Sequence, residues 1–169
     1  MSKKSFWILV STALTLALVI PLPVAAQTCV INGTPGSDYL VATDNADVIC
    51  ALGGNDLVTG RRGVDEIRGG EGRDSMYGGA GGDTMLGGGG SDVLLGDDGN
   101  DLVHGGPGSD TFKGGPGADR LFGDSGRDFI DARDGSGDDV VRGGLNADTC
   151  FVDSGDVVTG CESVVRPPA

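Results

Sequence analysis

One apolar side chain returns every nine residues along most of this chain. Leu40, Ile49, Val58, Ile67, Met76, Met85, Leu94, Val103, Phe112, Leu121 and Ile130 keep that spacing; Val141 and Cys150 continue it after a two-residue slip near Ala132–Arg133. The residues flanking each one give a local out–in–out alternation, as a minimal strand requires. The rest of each period is rich in glycine and carries aspartate. Glycine at this density excludes helix, and a nine-residue period excludes collagen. Each period therefore predicts a glycine-rich turn followed by a short strand. Pro35, Pro107 and Pro116 all take the third place of their units, inside the turn, where no strand amide is lost.

A single nonapeptide cannot close a coil around an apolar interior. Two can, as turn–strand–turn–strand, and residues eighteen apart then stack at the sheet spacing of about 4.8 Å. A period sustained this long predicts a solenoid, all-β, with two parallel sheets of short strands. The units run from Gly33 to Asp131 and resume from Asp134 to Phe151. This divides the chain into an N-terminal cap with the first, weaker repeats (27–50), a repeat array (33–151), and a C-terminal cap and tail (152–169).

The first residues stand apart. Lys3 and Lys4 precede an apolar run from Phe6 to Ile20, Pro21 and Pro23 break it, and Val24-Ala25-Ala26 offers small residues for cleavage. Residues 1–26 read as a secretory signal peptide, too short an apolar run for a bilayer span. Ala26-Gln27-Thr28 before Cys29 fits a lipid-attachment box poorly. The expected mature protein is secreted, extracellular, and without a membrane span.

Charge sharpens the picture. The chain carries 12 Lys+Arg against 25 Asp+Glu, a net charge of −13. Much of that acidity is in phase with the apolar period: Asp38, Asp47, Asp56, Asp65, Asp74, Asp83, Asp92, Asp101, Asp110, Asp119 and Asp128 each stand two residues before an apolar position, followed by Asp139 and Asp148. A disordered acidic tail would not keep this phase. No basic patch exists to neutralise phosphates, which excludes a nucleic-acid partner.

In a two-repeat coil these aspartates form two columns. Asp38, Asp56, Asp74, Asp92, Asp110 and Asp128 fall in one; Asp47, Asp65, Asp83, Asp101 and Asp119 fall in the other. Bare carboxylates about 5 Å apart repel by roughly 3 kcal/mol at an effective dielectric near 20. A divalent cation between stacked turns removes that repulsion. Hard oxygen donors with neither thiolate nor imidazole point to calcium, several ions of it. Asp97, Asp98 and Asp124 are additional acids within turns. With Asp139 and Asp148, which follow the slip and Asn146, they form a weaker set of metal candidates. Ala42, Thr43 and Asn45 weaken the second unit, and Leu52 and Arg61 replace glycine in the next two.

Units such as Gly69-Gly70-Glu71-Gly72-Arg73-Asp74-Ser75-Met76-Tyr77, and those from Gly78 to Leu95 and Gly105 to Phe122, resemble the nonapeptides of RTX, or haemolysin-type, calcium-binding repeats. The resemblance covers Gly33 to Phe151. It implies a right-handed parallel β-roll with calcium held between successive turns by the ladder aspartates and turn carbonyls. Those carbonyls would come from Gly69, Gly70, Gly72, Gly78, Gly79, Gly81, Gly87, Gly88 and Gly90, and from Gly105, Gly106, Gly108, Gly114, Gly115 and Gly117. The flanks resemble small secreted bacterial proteins of this group.

Four cysteines in an oxidising compartment predict disulfides. Three connectivities exist; the length of the array favours Cys29–Cys50 and Cys150–Cys161, one at each end. No catalytic constellation emerges. His104 is the only histidine and falls on an outward strand position, and the Asp97-Asp98 and Asp138-Asp139 pairs lie in turns rather than in the facing geometry of a glycosidase. The expected function is calcium binding coupled to folding, without enzyme activity. The alternative is a calcium-dependent adhesin or partner-binding module at the cell surface, using outward residues such as Tyr39, Leu57, Tyr77, Val93 and Phe129. An extracellular hydrolase would require residues that the sequence does not display.

Overall fold

The computed structural model describes residues 29–135 and 138–167; the expected signal peptide, 1–26, lies outside the described residues. Sixteen strands alternate between two eight-stranded parallel sheets. The first sheet holds β1 (Ile31–Asn32), β3 (Val48–Gly53), β5 (Glu66–Glu71), β7 (Thr84–Gly89), β9 (Leu102–Gly108), β11 (Arg120–Gly126), β13 (Val140–Arg142) and β15 (Val157–Thr159). The second holds β2 (Tyr39–Val41), β4 (Leu57–Arg62), β6 (Ser75–Ala80), β8 (Val93–Asp98), β10 (Thr111–Lys113), β12 (Phe129–Asp131), β14 (Thr149–Phe151) and β16 (Ser163–Val165). Each strand pairs with the next strand of its own sheet, so the chain winds as the predicted two-strand coil. Among the described residues no helix is long and apolar enough to cross a membrane.

The register follows the period. Met76 faces Leu94 and Met85 faces Val103, eighteen residues apart. Leu121 faces Val141 across the slip, which therefore lengthens a turn without displacing the inward column. Ile49, Val58, Ile67, Met76, Met85, Leu94, Leu121 and Ile130 are fully buried, and Phe112 is the largest side chain of the interior. Ala42, Ala51, Ala132 and Val152 join this core at the place a glycine holds in other units.

Two features depart from the sequence reading. First, the strands reach into the glycines. β6 runs from Ser75 to Ala80, and Gly79 stays in register with Asp97 despite its φ of 107°. The true turn is reduced to about three residues around Gly81–Asp83. The residue at this place is left-handed, whether glycine or one of Leu52, Arg61, Asp97 and Asp124, and each of these four pairs with a glycine of a neighbouring coil. Second, the roll does not end at Phe151. β15 and β16 extend both sheets by one strand each, with Val158 facing Val141 and Val164 facing Cys150. These last coils are shorter than eighteen residues, so the fixed period missed them.

The disulfides sit at the two ends, Cys29–Cys50 with a Cα separation of 5.9 Å and Cys150–Cys161 with 6.1 Å. Cys150 is fully buried in the interior column, and Cys161 packs against that core. The C-terminal bridge thus closes the bore of the roll, where the last coils are shortest.

Candidate metal centre

The site is built by repetition. Two residues before each inward apolar residue, the aspartate side chain also turns inward, and from Asp56 to Asp148 each ladder aspartate is 3% exposed or less. One carboxylate oxygen has a fixed task. The amide of Asp74 donates to Oδ1 of Asp92 at 2.9 Å, that of Asp83 to Oδ1 of Asp101 at 2.8 Å, and that of Asp92 to Oδ1 of Asp110 at 2.8 Å. The same bond joins Asp38 to Asp56 and Asp47 to Asp65, and it crosses the slip from Asp119 to Asp139 and from Asp128 to Asp148. Backbone carbonyls of the ladder aspartates are also engaged: Asp56 O accepts from Ser75 N at 2.8 Å.

The second oxygen is left over. Oδ2 of Asp56, Asp65, Asp74, Asp83, Asp92, Asp101, Asp110, Asp119, Asp128, Asp139 and Asp148 is buried without a hydrogen-bond partner. An unpaired anionic oxygen in a dry interior is costly. From Asp65 to Asp128, and again at Asp148, that oxygen faces a gap left by the glycine five residues before it. A Cβ on Gly69 would lie 2.5 Å from both Asp74 Oδ2 and Gly87 O; one on Gly78 would lie 2.6 Å from both Asp83 Oδ2 and Gly96 O. A carboxylate oxygen and a carbonyl oxygen of the next coil thus converge on one small space.

Further carbonyls point along the roll axis. A Cβ on Gly79 would meet Arg61 O, and one on Gly81 would overlap Gly63 O. Gly88, Gly90, Gly106, Gly108, Gly115 and Gly117 stand in the same relation to the coil before them. Among the described residues no three His, Cys, Asp or Glu side chains gather to hold a metal. The donor set is instead one carboxylate per turn and several backbone oxygens. That chemistry fits a hard divalent cation such as calcium and offers nothing to zinc or copper.

The first two aspartates differ. Asp38 Oδ2 accepts from Thr34 N at 2.6 Å and Thr34 Oγ1 at 2.9 Å; Asp47 Oδ2 accepts from Thr43 N at 2.8 Å and Thr43 Oγ1 at 2.7 Å. Threonine there satisfies the oxygen that is orphaned elsewhere. Asp97, Asp98 and Asp124 are not members of the hydrogen-bonded columns, though the charges of Asp97 and Asp124 act on ladder carboxyls. Asp97 and Asp98 border an outer groove with Lys113, and Asp124 Oδ2 lies 3.0 Å from His104 Nδ1. Asp139 and Asp148 are full members. The sequence reading missed Asp156 and Glu162, which close the two columns by accepting from Asp139 N at 3.2 Å and Asp148 N at 2.7 Å. Their signal was present as an acid two residues before Val158 and Val164, though off the nine-residue period.

Burial holds the ladder carboxyls from Asp65 to Asp148 above their ordinary value of 3.8. Amide donation from the preceding coil pulls them down, and neighbouring aspartates push them up further. Asp65, Asp74, Asp119 and Asp128 rise to about 6, and Asp101, Asp110 and Asp139 to about 7. Asp83, Asp92 and Asp148 shift the same way, chiefly through burial. A carboxyl with a raised folded pKa binds its proton more tightly when folded. Its contribution to stability is complete below the unfolded value and is lost as pH rises through 6 to 7. In chelator, the roll is therefore expected to hold more β-structure at pH 5 than at pH 8. Circular dichroism in chelator that does not change between these values would contradict this.

Residues 30–58, 59–94, 95–130 and 131–158 match, as four copies, the family model described as the RTX calcium-binding nonapeptide repeat. No curated protein matches the chain.

Proposed function

Because this chain belongs to the RTX calcium-binding nonapeptide-repeat family, we propose that it is a secreted protein that folds around several calcium ions and performs no catalysis. The observation that carries this reading is the run of buried, unpartnered carboxylate oxygens from Asp56 to Asp148. Those oxygens and the turn carbonyls of the adjoining coils are the groups that would hold calcium. Bound calcium would supply the positive charge that the interior lacks. The amides that donate to Oδ1 fix each carboxylate in place, so Oδ2 needs no rearrangement to serve as a ligand. The glycines keep side chains out of the space between turns.

Secretion is supported by the charged and apolar leader pattern of residues 1–26 and by disulfides at both ends, which persist outside the reducing cytosol. The absence of catalysis rests on the disposition of the sole histidine. His104 is stacked on Phe122 and paired with Asp124 on the outer face, away from the ladder.

Calcium affinity is expected at roughly 10⁻⁴–10⁻³ M per site, as in extracellular modules. Asp92→Asn, in mid-array, should remove a ligand shared between stacked turns and weaken calcium uptake by about tenfold with reduced cooperativity. Asp38→Asn should change uptake by less than about twofold, since Thr34 already holds Asp38 Oδ2. Calorimetric titration of the two variants decides: equal losses would refute a ladder whose metal sites begin after the first coil.

A further inference from the structure

The outward side of the first sheet carries a cluster that the calcium ladder does not use. Arg120 on β11 and Arg142 on β13 are both exposed, and Phe122 lies between them. Phe122 is in register with Arg142 and stands two residues after Arg120. Both guanidinium carbons lie over its ring, at 5.6 and 5.4 Å from the centroid. His104 stacks on the same ring, with centroids 4.5 Å apart and planes within 8°.

Among the described residues, neither arginine has a carboxylate partner. The arginine ion pairs are Arg62–Asp44, Arg68–Glu66 and Arg133–Asp131. Arg68 is neutralised on this same face, whereas Arg120 and Arg142 are not, in a chain whose net charge is −13. A cation–π contact engages the flat face of a guanidinium and leaves its edge N–H donors available. One ring therefore holds two donor forks in place on a solvent-facing surface.

The surroundings are apolar. Leu102 and Val140 are the cross-strand neighbours of Arg120. Beyond His104 the surface dips into a groove of about 280 Å³ bordered by Leu86, Asp124 and glycines. The overall negative field repels polyanions at long range, but a ligand with a single negative charge meets much less of it.

We propose that Arg120, Phe122 and Arg142 form a binding site for a ligand with one terminal oxyanion, carboxylate or sulfate ester, on a flat apolar body. The two arginines bind the oxyanion through edge N–H donors, and Phe122, Leu102 and Val140 receive the apolar part. Planar, forked donors suit such oxygens better than a lysine would.

The test is a nuclear magnetic resonance titration of the calcium-loaded protein with benzoate, phenyl sulfate and the neutral benzyl alcohol, following the Arg120 and Arg142 side-chain Nε–H signals. Saturable shifts are expected with one or both anions, with the stronger binder identifying the oxyanion class, and none with benzyl alcohol. The double variant Arg120→Gln/Arg142→Gln should bind at least tenfold more weakly, and Phe122→Leu several-fold more weakly with both arginines retained. The control Arg62→Gln/Arg73→Gln, with the same net charge as the first double variant, should bind as the parent does. Circular dichroism with calcium confirms that each variant is folded. Equal response to benzyl alcohol, or equal loss in the control, would overturn the proposal. So would lower thermal stability in Arg120→Gln/Arg142→Gln with unchanged anion binding, because the arginines would then serve only to pack on Phe122.

Discussion

Chelating calcium at neutral pH is expected to unfold this protein, and returning it to millimolar concentration to refold it. The cause is the composition of the interior. Each nonapeptide contributes one apolar side chain and one buried carboxylate, and from Asp56 onward that carboxylate keeps an oxygen with no partner. Above pH 7 those groups carry charge in a place water does not reach, which is unfavourable unless a cation is present. The roll has no remote contacts to compensate, since each strand is paired only with its neighbours in one sheet. Calcium at ten times its dissociation constant contributes about 1.4 kcal/mol per site. A few such sites match the roughly 5–15 kcal/mol by which folded domains are stable at all. Far-ultraviolet circular dichroism is the suitable probe, because the only tryptophan, Trp7, precedes the repeats in the segment expected to be cleaved. Magnesium should substitute poorly, as it demands a smaller, partly hydrated octahedral site. A β-signal that persists in chelator at pH 7.5 would refute the coupling.

The second large effect is expected from a single methyl group. Gly81 has a φ of 140°, and a Cβ there would run into the carbonyl oxygen of Gly63 in the preceding coil. That neighbour is backbone and cannot rotate away, so Gly81→Ala must separate two coils or distort the turn. A loss of about 3 kcal/mol or more is expected from strain and overlap together, along with loss of the calcium bound at that turn. Gly36 takes the same place in the first unit, but it lacks that positive φ and its nearest Cβ contact would be Thr34 Oγ1 at 3.8 Å, with no coil before it among the described residues. Gly36→Ala should therefore cost less than about 0.5 kcal/mol. Comparing the calcium-loaded melting temperatures of the two variants sets a stacked, left-handed turn glycine against one that is neither. Equal shifts would mean that the close approach of successive turns is not what requires glycine.

Much of this protein could be read from its sequence, for a physical reason. In a solenoid the same local conformation recurs, so the inward place of Met76 or Leu94, the turn at Gly81 and the carboxylate at Asp83 all follow from one nine-residue rule. The eighteen-residue register, the two sheets and the paired ends of the disulfides follow from closing that rule into a coil. Calcium follows from a donor set made only of oxygen. None of this needs a contact between distant, dissimilar segments, which is where sequence reading ordinarily fails.

What the rule could not supply depends on the coil next door. Asp74 and Asp38 hold the same place in their units, yet Asp74 Oδ2 is stranded while Asp38 Oδ2 is satisfied within its own unit by Thr34, where Asp74 has Gly70 four residues before it; the structure was needed to show that this threonine takes up the oxygen. Only the structure shows that strands such as β6 continue through their glycines, where Gly79 and Ala80 pair with Asp97 and Asp98 of the next coil. The final coils, which Asp156 and Glu162 close, abandon the nine-residue spacing and are recognisable only because their amides and side chains meet Asp139 and Asp148 in space. The Arg120–Phe122–Arg142 cluster likewise joins residues of two strands whose separation along the chain includes the slip. A repeat sequence determines the conformation of each unit; how closely successive turns approach, and where the ladder ends, is decided by the unit stacked upon it.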